Sequence, residues 1–342
     1  MRLRLASYNV EWFNALVDDM GNLLEDDQPS ARFQTTRATQ IAALGQVFQA
    51  LDADGIMVIE SPDNGSLRST TRALESFAKR FGLRARTAVH GFTSETEQEI
   101  AFLFDPDRLM ASHAPQGAPS TAKGAYSAPR FDTTLRLDLD GDGAAELMTL
   151  SKPPLELLVQ VGDKQLRLIG VHAKSKAPHG RASPADYIRI SIENRRKQLA
   201  ECMWIRGRVE TVLAAGIPLI IMGDFNDGPG LDEYETLFGQ SGVEIVLGLN
   251  LPKPQQLFDP HAAMALTKKL GILPSTARFW LAPQNRFFEA LIDFVMVSQD
   301  IAATSPVWRI WHPLNDPAMT PQLRDAVLAA SDHFPVSIDL EI

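Results

Sequence analysis

One cysteine in 342 residues, Cys202, leaves the chain without an intramolecular disulfide or a cysteine-cluster metal site. Positive charge is also scarce. Lys and Arg number 33 against 42 Asp and Glu, a net charge of −9, so no extended basic face for DNA is expected. No window approaches the roughly 18 uninterrupted apolar residues of a membrane helix. No amphipathic helix with a basic polar face is evident. The opening MRLRLASYNVEWF lacks the apolar core and small-residue cleavage site of a signal peptide and reads as an immediate strand. A cytoplasmic chain without membrane contact is therefore expected. No internal repeat and no flexible linker stand out. What is present, 45% hydrophobic and 22% charged residues, is a globular composition able to form a sizeable core.

Short apolar, β-branched runs alternate with longer helical patterns. Strands are predicted at Leu3–Val10, Gly55–Glu60, Glu99–Phe104, Leu155–Val161, Gln165–His172, Pro218–Gly223, Leu291–Ser298 and Phe334–Leu340. Helices are predicted at Arg32–Leu51, at Ser69–Phe81 and within Pro184–Ala215. In the last, Pro184 fits a first helical position and Gly216 a stop. Its length, about 48 Å at 1.5 Å per residue, predicts a break or a later start. Loops are expected at Met110–Arg130, Lys174–Pro184 and Asn250–Ser275. Strands apolar on both faces, interleaved with helices, predict buried sheets covered by helices.

Several of these strands end in one polar group. Asn9 follows LRLASY, Glu60 ends GIMVIE, and His172 ends LRLIGVH. Asp224 and Asn226 follow PLIIMG, Asp293 lies in LIDFVMV, and Asp332 and His333 precede FPVSIDL. In α/β sheets ligands gather outside the carboxyl ends of strands. Each residue alone reads more readily as a turn former or a structural histidine. As a set they supply hard oxygen ligands suited to Mg²⁺ or Mn²⁺, and two imidazoles able to move protons. A bound cation also reverses the local field in an otherwise acidic chain.

The blocks SYNVEW, VIES, GVHAKSK, GDFND, LIDFVMVS and SDHFPV, in that order, resemble the endonuclease/exonuclease/phosphatase superfamily of deoxyribonucleases, abasic-site endonucleases, sphingomyelinases and inositol-polyphosphate phosphatases. The resemblance runs from residue 7 to 336 and implies one domain over 1–342. It also implies a four-layer α/β sandwich with two central mixed β-sheets flanked by helices. Glu60 would be the principal metal ligand, with Asn9 and Asp332 completing the shell. Asp224 and Asn226 would hold the attacking water and a phosphate oxygen. His333 would be general base or phosphate ligand, oriented by Asp293. His172 would stabilise developing charge or protonate the leaving oxygen. The choice of base between Asp224 and His333 stays open.

Lys152, in SKPPLE, and Lys174 are candidate phosphate contacts, with Lys176 and Arg181 at the same entrance or simply solvated. The segment FFEALID lacks the arginine that many relatives place two residues before the aspartate. The expected activity is Mg²⁺-dependent hydrolysis of phosphoric esters, with a nuclease or other phosphodiesterase ahead of a phosphatase or lipid phosphodiesterase. The alternative of another class is a non-catalytic phosphate-ligand-binding protein. Nucleic acid is a candidate substrate, and a monomer without a protein partner is expected. Outside this set, Asp138, Asp140, Asp142 and Glu146 resemble a short calcium loop, a possible structural Ca²⁺ site. The competing account is a hairpin turn between TLRLDL and AELMTL.

Overall fold

The computed structural model describes residues 1–94, 96–117, 128–138, 145–177, 184–230, 238–267, 273–281 and 285–342. Two mixed sheets lie face to face between layers of helix. The first has the order β14 (Val307–Ile310), β15 (Val336–Glu341), β1 (Arg2–Asn9), β2 (Gly55–Ser61), β4 (Glu99–Phe104) and β3 (Thr87–His90). Only β1 and β2 run parallel in it. The second has the order β13 (Asp293–Val297), β10 (Leu219–Asp224), β9 (Lys164–His172), β8 (Leu155–Val161) and β5 (Met110–His113), with β9 and β10 parallel. Two small hairpins stand apart, β6 (Leu135–Leu137) with β7 (Glu146–Met148) and β11 (Ala277–Leu281) with β12 (Arg286–Ala290).

The apolar runs follow from this layering. A strand in either central sheet has one face toward the other sheet and one toward helices, so alternation is lost. In β1, Leu3 and Leu5 enter the inter-sheet core with Met57, Phe102, Leu157, Leu168, Ile220, Val295 and Ile338. Ala6 and Tyr8, on the opposite face, join the core beneath the helices α1 (Arg37–Leu51), α2 (Thr70–Phe81) and α6 (Pro321–Ala330). The outer face of the second sheet packs under α3 (Pro184–Ala214), α4 (Gly242–Leu247) and α5 (Pro260–Leu266). Each fully buried Leu or Ile contributes about 1.5–3 kcal/mol, and three contiguous clusters make the four-layer arrangement cohesive.

Local signals place the helix ends. Thr36 caps α1 by accepting from Thr39 N, so the helix begins five residues later than the predicted Arg32. Arg32 is drawn instead into a long-range pair with Glu11. Gly82 closes α2 in the left-handed region, after Lys79 and Arg80 in the last turn. The predicted break in α3 is absent, and 31 residues form one helix. Buried Arg195, Gln198, Glu201 and Arg208 on it bind loops on the second sheet, so its polar residues serve tertiary contacts rather than a loop.

The expected loop 110–130 contains β5, and 250–275 contains α5. Strands β6 and β7 pair antiparallel from Leu135↔Met148 to Leu137↔Glu146, which matches the hairpin account of that segment. Of the candidate calcium ligands, Asp140 and Asp142 lie outside the described residues, as does Arg181. Among the described residues no helix is long and apolar enough to cross a membrane.

Candidate active site

The strand order brings the polar strand ends to one edge of the sandwich. On the second sheet His172, Asp224 and Asp293 are register partners on adjacent strands, so their side chains stand in a row with a strand spacing of about 4.8 Å. Making that row needs Gly223. A Cβ there would sit 1.9 Å from Val171 O, and its φ is +146°. On the first sheet Asn9 and Glu60 end neighbouring parallel strands. Ile59 pairs with Ile100 and Ser61 with Glu99, which leaves Glu60 as the extra residue of a bulge with φ 63°. Bulges re-aim side chains, and this one turns Glu60 toward the second sheet.

Asn9 joins the two sheets. Its Nδ2 donates to Glu60 Oε1 at 3.3 Å and to Asp224 Oδ2 at 3.1 Å, and its Oδ1 accepts from Glu11 N at 3.1 Å. The oxygen expected for a metal is thus turned to the backbone, and Asn9 enters the site as an N–H donor. Trp12 N donates to Glu60 Oε2 at 2.9 Å. Asn226, at φ 49°, donates its N–H to Asp224 Oδ1 at 2.7 Å and its Nδ2 to Asp224 Oδ2 at 3.2 Å and Ala173 O at 3.1 Å. That is a side-chain-closed turn of the type aspartate favours.

His333 and Asp293 form the expected pair, Nδ1 to Oδ2 at 2.9 Å. Thr276 Oγ1 holds Asp293 by its N–H at 2.9 Å, and Ser331 Oγ, itself donating to Asn9 O, accepts from His333 N at 3.0 Å. His333 Nε2 then faces Asp224 Oδ2 and Asp332 Oδ1, both at 3.9 Å. His172 Nε2 faces Glu60 Oε1 at 3.9 Å and Asp224 Oδ2 at 3.7 Å.

Electrostatics separates the groups. Burial pulls the His333 imidazole down, but Asp293, Asp224 and Asp332 around it hold its pKa well above the ordinary histidine value. Burial, with Lys152 and His333 adding to it, keeps His172 well below that value and so neutral. Burial pushes Asp224 up to about 7, with Asp293 adding and His333 opposing. Burial and Asp332 raise Glu11 to about 7. Lys152 is lowered by burial while Asp224, Glu60 and Glu201 oppose the shift, so it stands within electrostatic reach of the carboxylates.

The donor set fits a hard divalent cation. Asp224, Asp293 and His333 carry ligand atoms within 4.8 Å of one another, although Asp293 Oδ2 is already engaged with His333 Nδ1. Glu60 and Asp332 are more accessible, with side chains 12% and 28% exposed, and supply the oxygen chemistry such ions need.

Several supporting residues were not singled out from sequence. Glu11 accepts from Asp332 N at 2.9 Å and pairs with Arg32, which also donates to Leu328 O. Gln198 Nε2 donates to the carbonyls of Lys174, Phe225 and Asn226, and Glu201 accepts from Lys174 N at 2.7 Å. Asp227, fully buried, accepts from Lys176 Nζ and Arg195 Nη1, each at 2.7 Å, and from Gly242 N at 2.6 Å. Lys176 is therefore a structural cation rather than an entrance charge. The fifth residue of GDFND was the available signal, since a second acid beside a strand end invites a partner.

The sequence model of the Endonuclease/Exonuclease/phosphatase family matches residues 6–333. The structure is similar to TDP2 from C. elegans, with a TM-score of 0.52 at 13% identity over 100% of this chain and 76% of that one. It is also similar to an endonuclease/exonuclease/phosphatase family protein from Bacteroides thetaiotaomicron, with a TM-score of 0.51 at 14% identity over 99% and 95% of the two chains. At such identity the likeness is one of fold. No curated protein sequence matches the chain.

Proposed function

Because the chain belongs to the endonuclease/exonuclease/phosphatase family, we propose that it is a Mg²⁺- or Mn²⁺-dependent phosphodiesterase of nuclease type, acting by in-line attack of water on phosphorus. The observation that carries this reading is the Asp293–His333 hydrogen bond at 2.9 Å with His333 Nε2 aimed at Asp224 and Asp332. A phosphate-binding protein has no need of a second carboxylate beside that imidazole, placed to take a proton from water. A hydrolase does.

Glu60 and Asp332 would hold the ion, with Asn9 fixing the Glu60 carboxylate through its N–H. Bound there, a divalent cation would polarise a phosphoryl oxygen and offset the gathering negative charge. Asp224, held by Asn226 N and Nδ2, would position the attacking water. Its pKa near 7 lies where a carboxylate can take a proton at neutral pH. His333, kept cationic by Asp293 and its neighbours, would bind the phosphate, so the division of labour favours Asp224 as base. Neutral His172 would donate from Nε2 to developing charge. Lys152 and Lys174 would contact outer phosphate oxygens. Both ends of the chain contribute, from Asn9 to His333, which supports a single domain.

The test is hydrolysis of bis-p-nitrophenyl phosphate and of p-nitrophenyl phosphate, with and without Mg²⁺ or Mn²⁺. Metal-dependent release from the diester, faster than from the monoester, is expected. No release from either ester with either metal would overturn the reading.

A further inference from the structure

Trp12 stands beside the carboxylate cluster, its N–H donating to Glu60 Oε2 at 2.9 Å, and yet its side chain is not part of the core: the residue is 40% exposed. Among the described residues the indole meets no aromatic ring and no hydrogen-bond partner. The turn that presents it is locked on both sides. Glu11 and Trp12 are both left-handed, at φ 50° and 61°, a conformation costing on the order of 1–3 kcal/mol per non-glycine residue. Before Trp12, Glu11 is fixed through its carboxylate by Arg32 and Asp332 N and through its carbonyl by Gln40. After it, Phe13 and Leu16 are fully buried, with the Phe13 ring edge-on to Phe77 at 5.3 Å. The chain thus holds a strained turn rigidly and spends its exposed position on a large flat ring.

We propose that Trp12 is a specificity-determining residue that stacks on an unpaired nucleobase beside the scissile phosphate, making nucleotide-bearing diesters the substrate class. This rests on the reading of the site as a phosphodiesterase. Two features of the molecule favour a base over other occupants. The net charge of −9 disfavours an extended basic footprint along a polyanion, so beyond the reacting phosphate the affinity for a nucleic acid end is left to contacts that need no charge. Base–aromatic stacking is such a contact, worth about 1–3 kcal/mol per base. A choline headgroup, the cation of a lipid substrate, calls for an aromatic cage, whereas among the described residues Trp12 has no neighbouring ring.

The test compares the wild type with Trp12→Ala and Trp12→Phe in the presence of Mg²⁺. Calorimetry measures binding of thymidine 5′-phosphate, phosphocholine and methyl phosphate. Hydrolysis is followed on the p-nitrophenyl ester of thymidine 5′-phosphate and on methyl p-nitrophenyl phosphate, which share a leaving group. The wild type should bind the nucleotide at least tenfold more tightly than methyl phosphate. Trp12→Ala should erase that margin and lose tenfold or more kcat/KM on the thymidine ester beyond any loss on the methyl ester. Trp12→Phe should restore most of it. Equal wild-type affinity for nucleotide and methyl phosphate, a preference for phosphocholine, or equal losses on the two esters would overturn the proposal. A wild type that prefers the nucleotide through Trp12 and hydrolyses neither ester would uphold stacking and refute the hydrolase. Hydrolysis of both without base preference would do the reverse.

Discussion

Asp293→Asn removes one charge and keeps the shape of the side chain. Thr276 Oγ1 still receives the backbone N–H of residue 293, so the row on the second sheet should survive. What changes is the partner of His333 Nδ1, now 2.9 Å from a carboxylate oxygen. A unit charge pair at that separation is worth about 6 kcal/mol at an effective dielectric of 20, and a charge-assisted hydrogen bond contributes about 1.5–3 kcal/mol net of water. The lower figure alone is roughly a 10- to 150-fold effect. With the wrong imidazole orientation added, the rate should fall about 10²- to 10³-fold, the range for losing one positioned donor to developing charge. The assay is kcat on bis-p-nitrophenyl phosphate at saturating metal, with metal affinity measured by calorimetry on the same variant. Because Asp293 raises His333, the variant should also lose His333 charge at a lower pH than the wild type, visible in the imidazole proton shifts by NMR. A rate within tenfold of the wild type, or an unchanged His333 titration, would refute the reasoning.

Glu60→Ala should abolish hydrolysis at any Mg²⁺ concentration with little change in unfolding, since among the described residues the carboxylate hydrogen-bonds only Asn9 Nδ2 and Trp12 N; retention of more than about a tenth of the rate would exclude it as a principal ligand. Asp227→Ala leaves Arg195 and Lys176 facing a lost carboxylate and should cost about 3–5 kcal/mol in urea unfolding, the usual result of breaking a buried pair from one side. Glu99, almost wholly buried with Ser94 N donating at 3.0 Å, is raised by burial to about 7 from 4.5. The folded chain therefore holds a proton that the unfolded chain has already released, and this group's share of stability is lost as pH rises from about 4.5 to 7, at up to about 1.4 kcal/mol per unit. Glu99→Gln should flatten that slope, and urea midpoints between pH 5 and 7 check it.

The strands were legible because burial on both faces writes itself as an apolar run, and LRLASYN or LIIMGD needs no partner to be recognised. The polar groups at their ends were legible for the same reason, each being an interruption of a run. The geometry between them was not. Glu60 ends its strand in sequence, but the bulge that turns it depends on β4, some forty residues further on. Arg32 belongs to a helical pattern by composition and leaves it for Glu11 and Leu328, on two distant segments. The long α3 was expected to break or to start later because of its length, about 48 Å. In the fold Gln198 and Glu201 brace the loops that follow β9 and β10, contacts that no local period reveals. Asn9 shows the limit most clearly. Its place was readable, but whether it offers oxygen or N–H is decided by Glu11 N and Asp224.

The position of β15 also bears on how the molecule comes into being. It is not an edge strand but lies between β14 and β1, pairing residue for residue from Arg2↔Glu341 to Ser7↔Val336. During synthesis β1 emerges ahead of the other strands and then waits for all the elements between it and β15 before that partner exists, roughly 15–65 s at common translation speeds. Throughout that interval one side of β1 offers unpaired backbone groups, the kind of ribbon that recruits foreign strands. Asp332 and His333 arrive just ahead of β15, so the cluster of carboxylates and imidazoles is completed only as the chain closes its own sheet. Until β15 seals the gap, the hazard of a partly synthesised chain is self-association.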